Sequence, residues 1–229
     1  MKRTKTAIVG ASGYTGMELL RTLLTHPGVE LTAVTSRAEA GRRLDEVFPR
    51  FAKASAATLK FSQPDPDLIA ASGAEVAFLA LPHGVAAEIA RALLDRGLKV
   101  IDLSADFRLR SAAVYEEFYG HPHPAPDLLD KAVYGLPEIR SAEIKSASLI
   151  ASPGCYPTSI ILPLLPLLRE NLIDHSTIVA NSMSGVSGAG RKAELPFLFC
   201  ECNESARAYS VPNHRHLSEI EQELSIAAG

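Results

Sequence analysis

Apolar stretches rich in β-branched residues alternate with amphipathic stretches along the first two thirds of the chain. Residues 6–9 and 29–35 have the composition of buried strands, and residues 17–25 between them have the spacing of a helix. This pattern predicts a βαβ unit at the start of the chain.

The same alternation continues further along. Residues 76–81 indicate a buried strand, residues 85–96 an amphipathic helix that ends at Gly97, and residues 99–103 another strand. Strands that alternate with helices form parallel sheets, so we expect an α/β fold whose N-terminal part is a Rossmann-type, doubly wound parallel sheet.

The remaining chain has weaker patterns. Residues 106–136 predict an irregular excursion, in which we place no chemistry, and residues 149–151 predict a further strand. A leucine-rich helix is expected to reach residue 170, with kinks at Pro163 and Pro166.

Residues 177–183 predict one more strand, followed by a glycine-rich loop and a helical tail. We therefore divide the chain into a cofactor-binding domain at 1–150 and an α+β catalytic domain at 151–229 that looks incomplete.

Composition narrows the class of protein. The 229 residues include 47% hydrophobic and 21% charged residues, which is typical of a folded globular protein. A net charge of −3 without a long basic run argues against nucleic-acid binding. The apolar stretch at 160–168 is interrupted by prolines and is shorter than the roughly 20 residues of a membrane span.

The location and redox state follow from the same sequence. The N-terminus lacks the pattern of a secretory leader, and three cysteines are too few for a disulfide framework. A reduced, cytoplasmic protein is expected.

A glycine-rich turn, GASGYTG, joins the first strand to the first helix. Its backbone N–H groups can face a pyrophosphate at the helix N-terminus, although many such turns need glycine only to turn. The predicted cofactor contacts in this turn are Gly10, Ala11, Ser12, Gly13, Tyr14, Thr15 and Gly16.

The second strand ends in Ser36 and Arg37, without the acid that holds a ribose 2′-hydroxyl. An arginine there accommodates a 2′-phosphate, so NADP(H) is favoured over NAD as cofactor. The alternative is that Arg37, like Arg42 and Arg43, is a solvated surface residue. Pro82, after the strand at 76–81, is a further predicted cofactor contact.

Cys155 is the candidate nucleophile. It lies between Gly154 and the start of a helix, where the helix dipole and free N–H groups favour a thiolate. A buried structural cysteine is the alternative, which the rigid Pro-Gly and Tyr-Pro-Thr flanks make less attractive.

Two histidines near the chain end are candidate proton carriers. His216 is favoured as the base and His214 as a substrate or structural contact, because residues two apart in an extended segment point to opposite sides. Glu219 could orient the imidazole, or lie exposed at a helix start.

A metal site is not expected. Cys200, Cys202, His214 and His216 are close in sequence, but their spacing differs from that of zinc sites.

The glycine-rich loop at 184–191 can bind an anion through backbone N–H groups and basic side chains. We assign Ser187 and Gly188 to the cofactor. The candidate substrate contacts are Ser184, Gly185, Arg191 and, equally compatible with an ordinary salt bridge, Arg108.

Six sequence blocks follow one another along the chain: GASGYTG at 10–16, LSADFRL at 103–109, VYGLPE at 133–138, PGCYPT at 153–158, GVSGAGR at 185–191 and HRH at 214–216. Together and in this order they resemble N-acetyl-gamma-glutamyl-phosphate reductases. The resemblance covers essentially the whole chain.

The resemblance implies an NADPH-dependent reduction of an acyl phosphate through a thioester on Cys155, with a histidine handling protons. It also implies a role in arginine biosynthesis, a small-molecule substrate and a homo-oligomer, dimer or tetramer, formed through the second domain.

Members of that family are longer, so we expect an uncovered sheet edge or apolar face in the second domain, whether the chain is a fragment or a truncated product. The rival interpretations are an aspartate-semialdehyde dehydrogenase, which has a similar layout, and an inactive NADP-binding fragment.

Overall fold

The computed structural model describes residues 2–228. Seven strands form one sheet: β1 (Thr4–Val9), β2 (Val29–Thr35), β3 (Phe61–Ser62), β4 (Val76–Leu79), β5 (Lys99–Asp102), β6 (Ala132–Tyr134) and β7 (Leu149–Ala151). Their order is β3-β2-β1-β4-β5-β7-β6, and every neighbouring pair is parallel. The predicted doubly wound α/β sheet is confirmed.

Nine helices accompany the sheet in residues 2–228: α1 (Tyr14–Leu23), α2 (Leu44–Val47), α3 (Pro66–Ala71), α4 (Ala86–Asp95), α5 (Ala112–Tyr119), α6 (Pro137–Ser146), α7 (Cys155–Arg169), α8 (Phe199–Cys202) and α9 (His216–Ala228). Short 3₁₀ turns connect several of them.

The sheet is covered on both faces. In β1, Ala7 and Val9 belong to one hydrophobic cluster while Ile8 belongs to another, because successive strand residues point to opposite faces. A third cluster joins Tyr134 of β6 to Ile161 and Leu165 of α7, with Leu224 of α9 packed against it. Helix α9 thereby returns the end of the chain to the sheet.

The prediction of an irregular excursion at 106–136 was wrong in part, because this segment contains α5 and β6. Ser111 caps α5 by accepting a hydrogen bond from the Val114 N–H, and Gly120 ends the helix with φ of +78°. Strand β6 is three residues long, too short to produce a visible alternation.

The predicted strand at 177–183 is also absent. Residues 178–183 have no partner strand among residues 2–228, and Val179 and Met183 are 85% and 92% exposed. Apolar side chains at 172–211 are exposed in unusual number: Leu172, Val179, Met183, Val186, Leu195, Leu198, Phe199, Tyr209 and Val211. This finding agrees with the expected uncovered apolar surface in the second domain.

Pro163 and Pro166 lie inside α7, and the helix is continuous across both. None of the helices in residues 2–228 has the length and apolarity required to cross a bilayer.

Candidate active site

The predicted site residues gather where parallel strands end. The turn at 10–16 follows β1, the loop at 80–85 follows β4, residues 103–108 follow β5, and residues 152–154 follow β7. Carboxyl ends of parallel strands share one edge of the sheet, which is the usual place for ligands in this type of fold.

The glycine turn has the close backbone packing that a phosphate cradle requires. Gly10 has φ of +86°, and an added Cβ would lie 2.4 Å from the Ala80 carbonyl oxygen. At Gly16 an added Cβ would lie 2.5 Å from Cα of Ala11. Gly13 begins α1 without a side-chain cap, so an anion can approach the helix N-terminus.

Hydrogen bonds fix this turn to the end of β2. Thr35 accepts from the Gly10 N–H at its Oγ1 (3.2 Å) and from the Ala11 N–H at its carbonyl (2.9 Å). The hydroxyls of Ser12 and Ser36 lie 2.8 Å apart. Ser36 is therefore part of the turn, and Arg37 follows it.

Arg37 differs from the neighbouring arginines. Arg42 pairs with Glu39 at 2.6 Å and Arg43 with Asp45 at 2.5 Å. Arg37 is exposed and forms no ion pair with any described residue. Its charge is thus available to a ligand beside the turn.

Asp106, which our sequence reasoning missed, shapes the loop that contains Pro82. Its buried carboxylate accepts from the N–H groups of Gly84 (2.7 Å) and Ala87 (3.0 Å) and from the Tyr115 hydroxyl (3.0 Å). Asp106 therefore caps α4, and Pro82 is exposed next to that cap. The position of Asp106 in LSADFRL was the available signal in the sequence, but Gly84, whose N–H it accepts, is 22 residues away.

Cys155 is the first residue of α7 and is exposed. Gly154 precedes it without a side-chain cap, so the N–H groups of the first turn are left for other partners. Cys155 thus lies at the positive end of the α7 dipole.

The ring of His216 packs directly on Gly154. A Cβ at Gly154 would lie 2.6 Å from Nε2 of His216, so only glycine admits the ring in this position. Burial, then Arg108, His214 and Arg215, lower the pKa of His216 to about 3. Its buried Nδ1 has no hydrogen-bond partner among residues 2–228. The imidazole is therefore neutral near pH 7, and it lies against Gly154, the residue before Cys155.

His214 has a different task. Its Nδ1 accepts from the His216 N–H at 3.0 Å, at the start of α9, and its Nε2 lies 3.2 Å from the Tyr209 hydroxyl. Burial and then Arg215 lower the pKa of His214. The Nδ1 atom of His214 is thus used to cap α9, and this is the nitrogen that would otherwise act as a base.

Neither of the two roles considered for Glu219 is observed: it forms no hydrogen bond with either histidine within the described residues, and it is not exposed at a helix start. It is 1% exposed, and Oε1 accepts from the Tyr134 hydroxyl (2.7 Å) and the Gly154 N–H (2.9 Å). The Glu219 carboxylate is therefore hydrogen-bonded to the backbone of the turn before Cys155 and to a side chain of β6.

Arg108 is 9% exposed and is largely engaged by the protein itself. Nε donates to the Ser152 carbonyl (2.8 Å), Nη2 to the Leu103 carbonyl (2.9 Å), and Nη1 lies 3.5 Å from Glu219. The ordinary salt bridge that we weighed as the alternative is present.

The glycine-rich loop at 184–191 contacts the glycine turn at 10–16. Cζ of Arg191 lies 5.1 Å from the ring centroid of Tyr14, the first residue of α1. The other predicted contacts in this loop are exposed and have small side chains or none: Ser184, Gly185, Ser187 and Gly188. The two predicted anion sites are therefore neighbours.

Within residues 2–228, His, Cys, Asp and Glu side chains form no cluster of three or more that could hold a metal ion.

Family models match both parts of the chain. Residues 5–147 match the model described as semialdehyde dehydrogenase, NAD binding domain, and residues 155–229 match semialdehyde dehydrogenase, dimerisation domain. The chain belongs to the semialdehyde dehydrogenase family. Its first part thus has the fold and the glycine turn of a nicotinamide-dinucleotide-binding domain.

Relatives within this family are closely similar in sequence. An N-acetyl-gamma-glutamyl-phosphate reductase of Akkermansia muciniphila is 66% identical over 229 residues, and one of Ectopseudomonas mendocina is 54% identical over 226 residues. These matches cover 100% and 98% of this chain but 66% and 64% of the relatives. The chain spans slightly less than two thirds of the relatives' length.

Solved structures show the same fold. An aspartate semialdehyde dehydrogenase II from Vibrio cholerae superposes with a TM-score of 0.56 at 18% identity, covering 83% of this chain and 49% of that one. The Candida albicans aspartate semialdehyde dehydrogenase with NADP gives 0.51 at 17% identity, covering 74% and 48%.

Proposed function

We propose that this chain carries the catalytic apparatus of an NADPH-dependent N-acetyl-gamma-glutamyl-phosphate reductase, an enzyme of arginine biosynthesis. The observation that carries the proposal is the stacking of His216 on Gly154, directly before an exposed cysteine at a helix N-terminus. A thiol and a neutral imidazole held in this way suit acyl transfer to sulfur.

The chemistry follows from the two side chains. His216 is the proposed acceptor of the Cys155 proton, because the negative charge of the thiolate that forms raises the pKa of the imidazole above its value of about 3. The thiolate then attacks the acyl carbonyl carbon. Its C–O bond to phosphate breaks, phosphate leaves, and a thioester remains on Cys155.

NADPH, when bound, supplies the hydride that reduces the thioester carbonyl. The resulting oxyanion re-forms its C=O bond as the C–S bond breaks, and the protonated His216 returns its proton to the departing sulfur, which releases the semialdehyde and the free thiol of Cys155.

The cofactor proposal rests on the glycine turn and on Arg37. The tight packing at Gly10 and Gly16 and the uncapped start of α1 fit a pyrophosphate. Arg37, which has no acid partner among residues 2–228, suits a 2′-phosphate. Ser187 and Gly188 remain proposed cofactor contacts because their loop adjoins this turn through Arg191.

The substrate proposal rests on the relatives at 54–66% identity, which are named for this reaction. Aspartate semialdehyde dehydrogenases resemble the chain at 17–18% identity, which supports a shared fold only. Ser184, Gly185 and Arg191 are proposed substrate contacts. Arg108 is proposed to act on the substrate only if one of its contacts with Ser152, Leu103 or Glu219 is exchanged.

We further propose a cytoplasmic homo-oligomer. The match of residues 155–229 to a dimerisation domain and the exposed apolar side chains at 172–211 support it.

The deciding experiment measures NADPH formation from NADP⁺ with N-acetylglutamate semialdehyde and phosphate, before and after thiol alkylation, alongside aspartate semialdehyde. Phosphate-dependent turnover of the acetylated substrate that alkylation and Cys155→Ala abolish supports the proposal. Preference for aspartate semialdehyde contradicts the substrate, and a folded, NADPH-binding chain without turnover contradicts catalysis by these residues alone.

A further inference from the structure

We infer that Tyr134 is a positioning residue for Cys155, which acts through Glu219 and the backbone of Gly154. The inference rests on the proposed function, since it assigns a role in the activity of that thiol. It concerns a side chain on β6, at the far edge of the sheet from the glycine turn.

One carboxylate oxygen makes the connection. Oε1 of Glu219 accepts from the Tyr134 hydroxyl at 2.7 Å and from the Gly154 N–H at 2.9 Å. Gly154 is the residue before the nucleophile and the N-cap of α7. The hydroxyl and the nucleophile turn therefore depend on the same atom.

The carboxylate needs these donors because it is buried. Glu219 is 1% exposed and Tyr134 is 6% exposed. Burial raises the pKa of Glu219, whereas Arg108, the Gly154 N–H and the Tyr134 hydroxyl oppose that change. Loss of the hydroxyl favours protonation of Glu219, and a protonated carboxyl is a weaker acceptor for the Gly154 N–H.

The tyrosine ring is held independently of its hydroxyl. It packs in the cluster with Leu136, Ile161 and Leu165, and Cζ of Arg140 lies 5.9 Å from its centroid. Tyr134→Phe therefore keeps the packing and removes only the hydrogen bond. A residue needed solely for packing would tolerate this change.

The test compares Tyr134→Phe with Tyr115→Phe in the full chain. Tyr115 is a matched control because its buried hydroxyl also donates to a buried carboxylate, that of Asp106, which has no hydrogen bond to Gly154 within residues 2–228. Three quantities are measured: kcat and KM for the acyl phosphate, the melting temperature, and the rate at which iodoacetamide alkylates each cysteine, read by peptide mass spectrometry.

We expect Tyr134→Phe to lower kcat about tenfold with KM nearly unchanged, the loss of one hydrogen bond to a charged group. Alkylation of Cys155 should slow several-fold, because a displaced turn stabilises the thiolate less. Alkylation of Cys200 and Cys202 should not change, and Tyr115→Phe should leave the Cys155 rate unaltered.

An unchanged Cys155 alkylation rate in Tyr134→Phe would overturn the inference, as would an equal slowing in Tyr115→Phe. The alkylation measurement needs no substrate, so it decides the role of Tyr134 even if the proposed reaction fails.

Discussion

Position 154 requires glycine because of the neighbouring His216 ring and not because of its backbone conformation. Its φ of −67° and ψ of 161° are open to any residue, but a Cβ would lie 2.6, 2.8 and 3.0 Å from three ring atoms of His216. The requirement for glycine therefore reports on the position of the imidazole.

Gly154→Ala should displace the His216 ring and lower kcat by about 10²-fold or more, the usual contribution of a general base, while the protein remains folded. Gly28→Ala is the control, because its Cβ would also meet a histidine ring, that of His26, at 3.2 Å, in a turn remote from Cys155. Equal activity of the two variants would mean that the ring position is unimportant.

The roles of His214 and His216 can be distinguished by replacing each with asparagine, a residue that forms good helix N-caps. His214→Asn should keep the cap on α9 and most of the activity, because an amide oxygen can replace Nδ1 as acceptor for the His216 N–H. His216→Asn should lower kcat by about 10²- to 10⁴-fold. Steady-state kinetics of both variants check this, and the reverse order would make His214 the base.

Arg37 is expected to set the cofactor preference. Arg37→Ala should weaken NADPH binding and narrow its advantage over NADH, since the ion pair with the 2′-phosphate is lost. Fluorescence titrations with both nucleotides measure this. Arg42→Ala is the control, because Arg42 already pairs with Glu39, and an equal effect of both variants would refute a specific role.

Sequence reasoning placed Cys155 at a helix start, where the structure also has it, because turn residues and helix patterns carry that information locally. It misjudged Glu219, since a spacing of three residues suggested contact with His216, whereas the fold offers Glu219 the closer donors of Gly154 and Tyr134. Those donors are 65 and 85 residues away, and no local pattern reveals such partners.

Helix α9 is attached to the rest of the chain by acidic and amide side chains in addition to the apolar packing of Leu224. Besides Glu219, the Gln222 amide oxygen accepts from the Arg110 N–H at 2.8 Å, and Glu223 pairs with Arg140 at 2.5 Å. The side chains of Arg140 and Glu223 are 11% and 1% exposed. Two of these polar contacts, those of Glu219 and Glu223, are therefore buried.

Glu223→Ala should lower the free energy of unfolding by about 3–5 kcal/mol, because within residues 2–228 the buried Arg140 then has one acidic partner left, Glu143 at 3.7 Å. Glu221→Ala, at an exposed position of the same helix, should change it by less than about 0.5 kcal/mol. Urea unfolding of both variants measures this, and similar losses would show that the ion pair is not what matters.

Some strands were predictable and others were not, and length does not separate them. Strands β2 and β7 have the predicted bounds, although β7 has only three residues. Strand β6, also of three residues, was not predicted, and the apolar pattern at 177–183 has no partner strand in the described chain. A strand depends on its neighbours for its hydrogen bonds, which composition alone cannot supply.

Two buried groups give the whole fold opposite responses to pH. Burial raises the pKa of Asp102 from 3.8 to about 7, so its stabilising contribution falls as the pH rises through that window. The pKa of His216 falls from 6.5 to about 3, so its contribution is lost as the pH falls through that range. The two effects partly cancel in the unchanged protein.

Asp102→Asn should remove the first effect. Relative to the unchanged chain, its free energy of unfolding should be higher by a few kcal/mol at about pH 8 and by much less at about pH 5. Chemical denaturation at both values measures the difference. Asp95→Asn, at an exposed position, should show no such slope, and a slope equal to that of Asp102→Asn would rule out burial as the cause.

The strand order also sets the distance between the glycine turn and the turn before Cys155. The glycine turn follows β1 and the cysteine turn follows β7, and only β4 and β5 lie between them. Three inter-strand spacings, about 14 Å in all, therefore separate the strand ends that lead into the glycine turn and into the turn before Cys155. Surface loops can change in length without altering this interval, because hydrogen bonds between the strands set it. A ligand that reaches both turns must therefore span the same interval whatever the length of those loops.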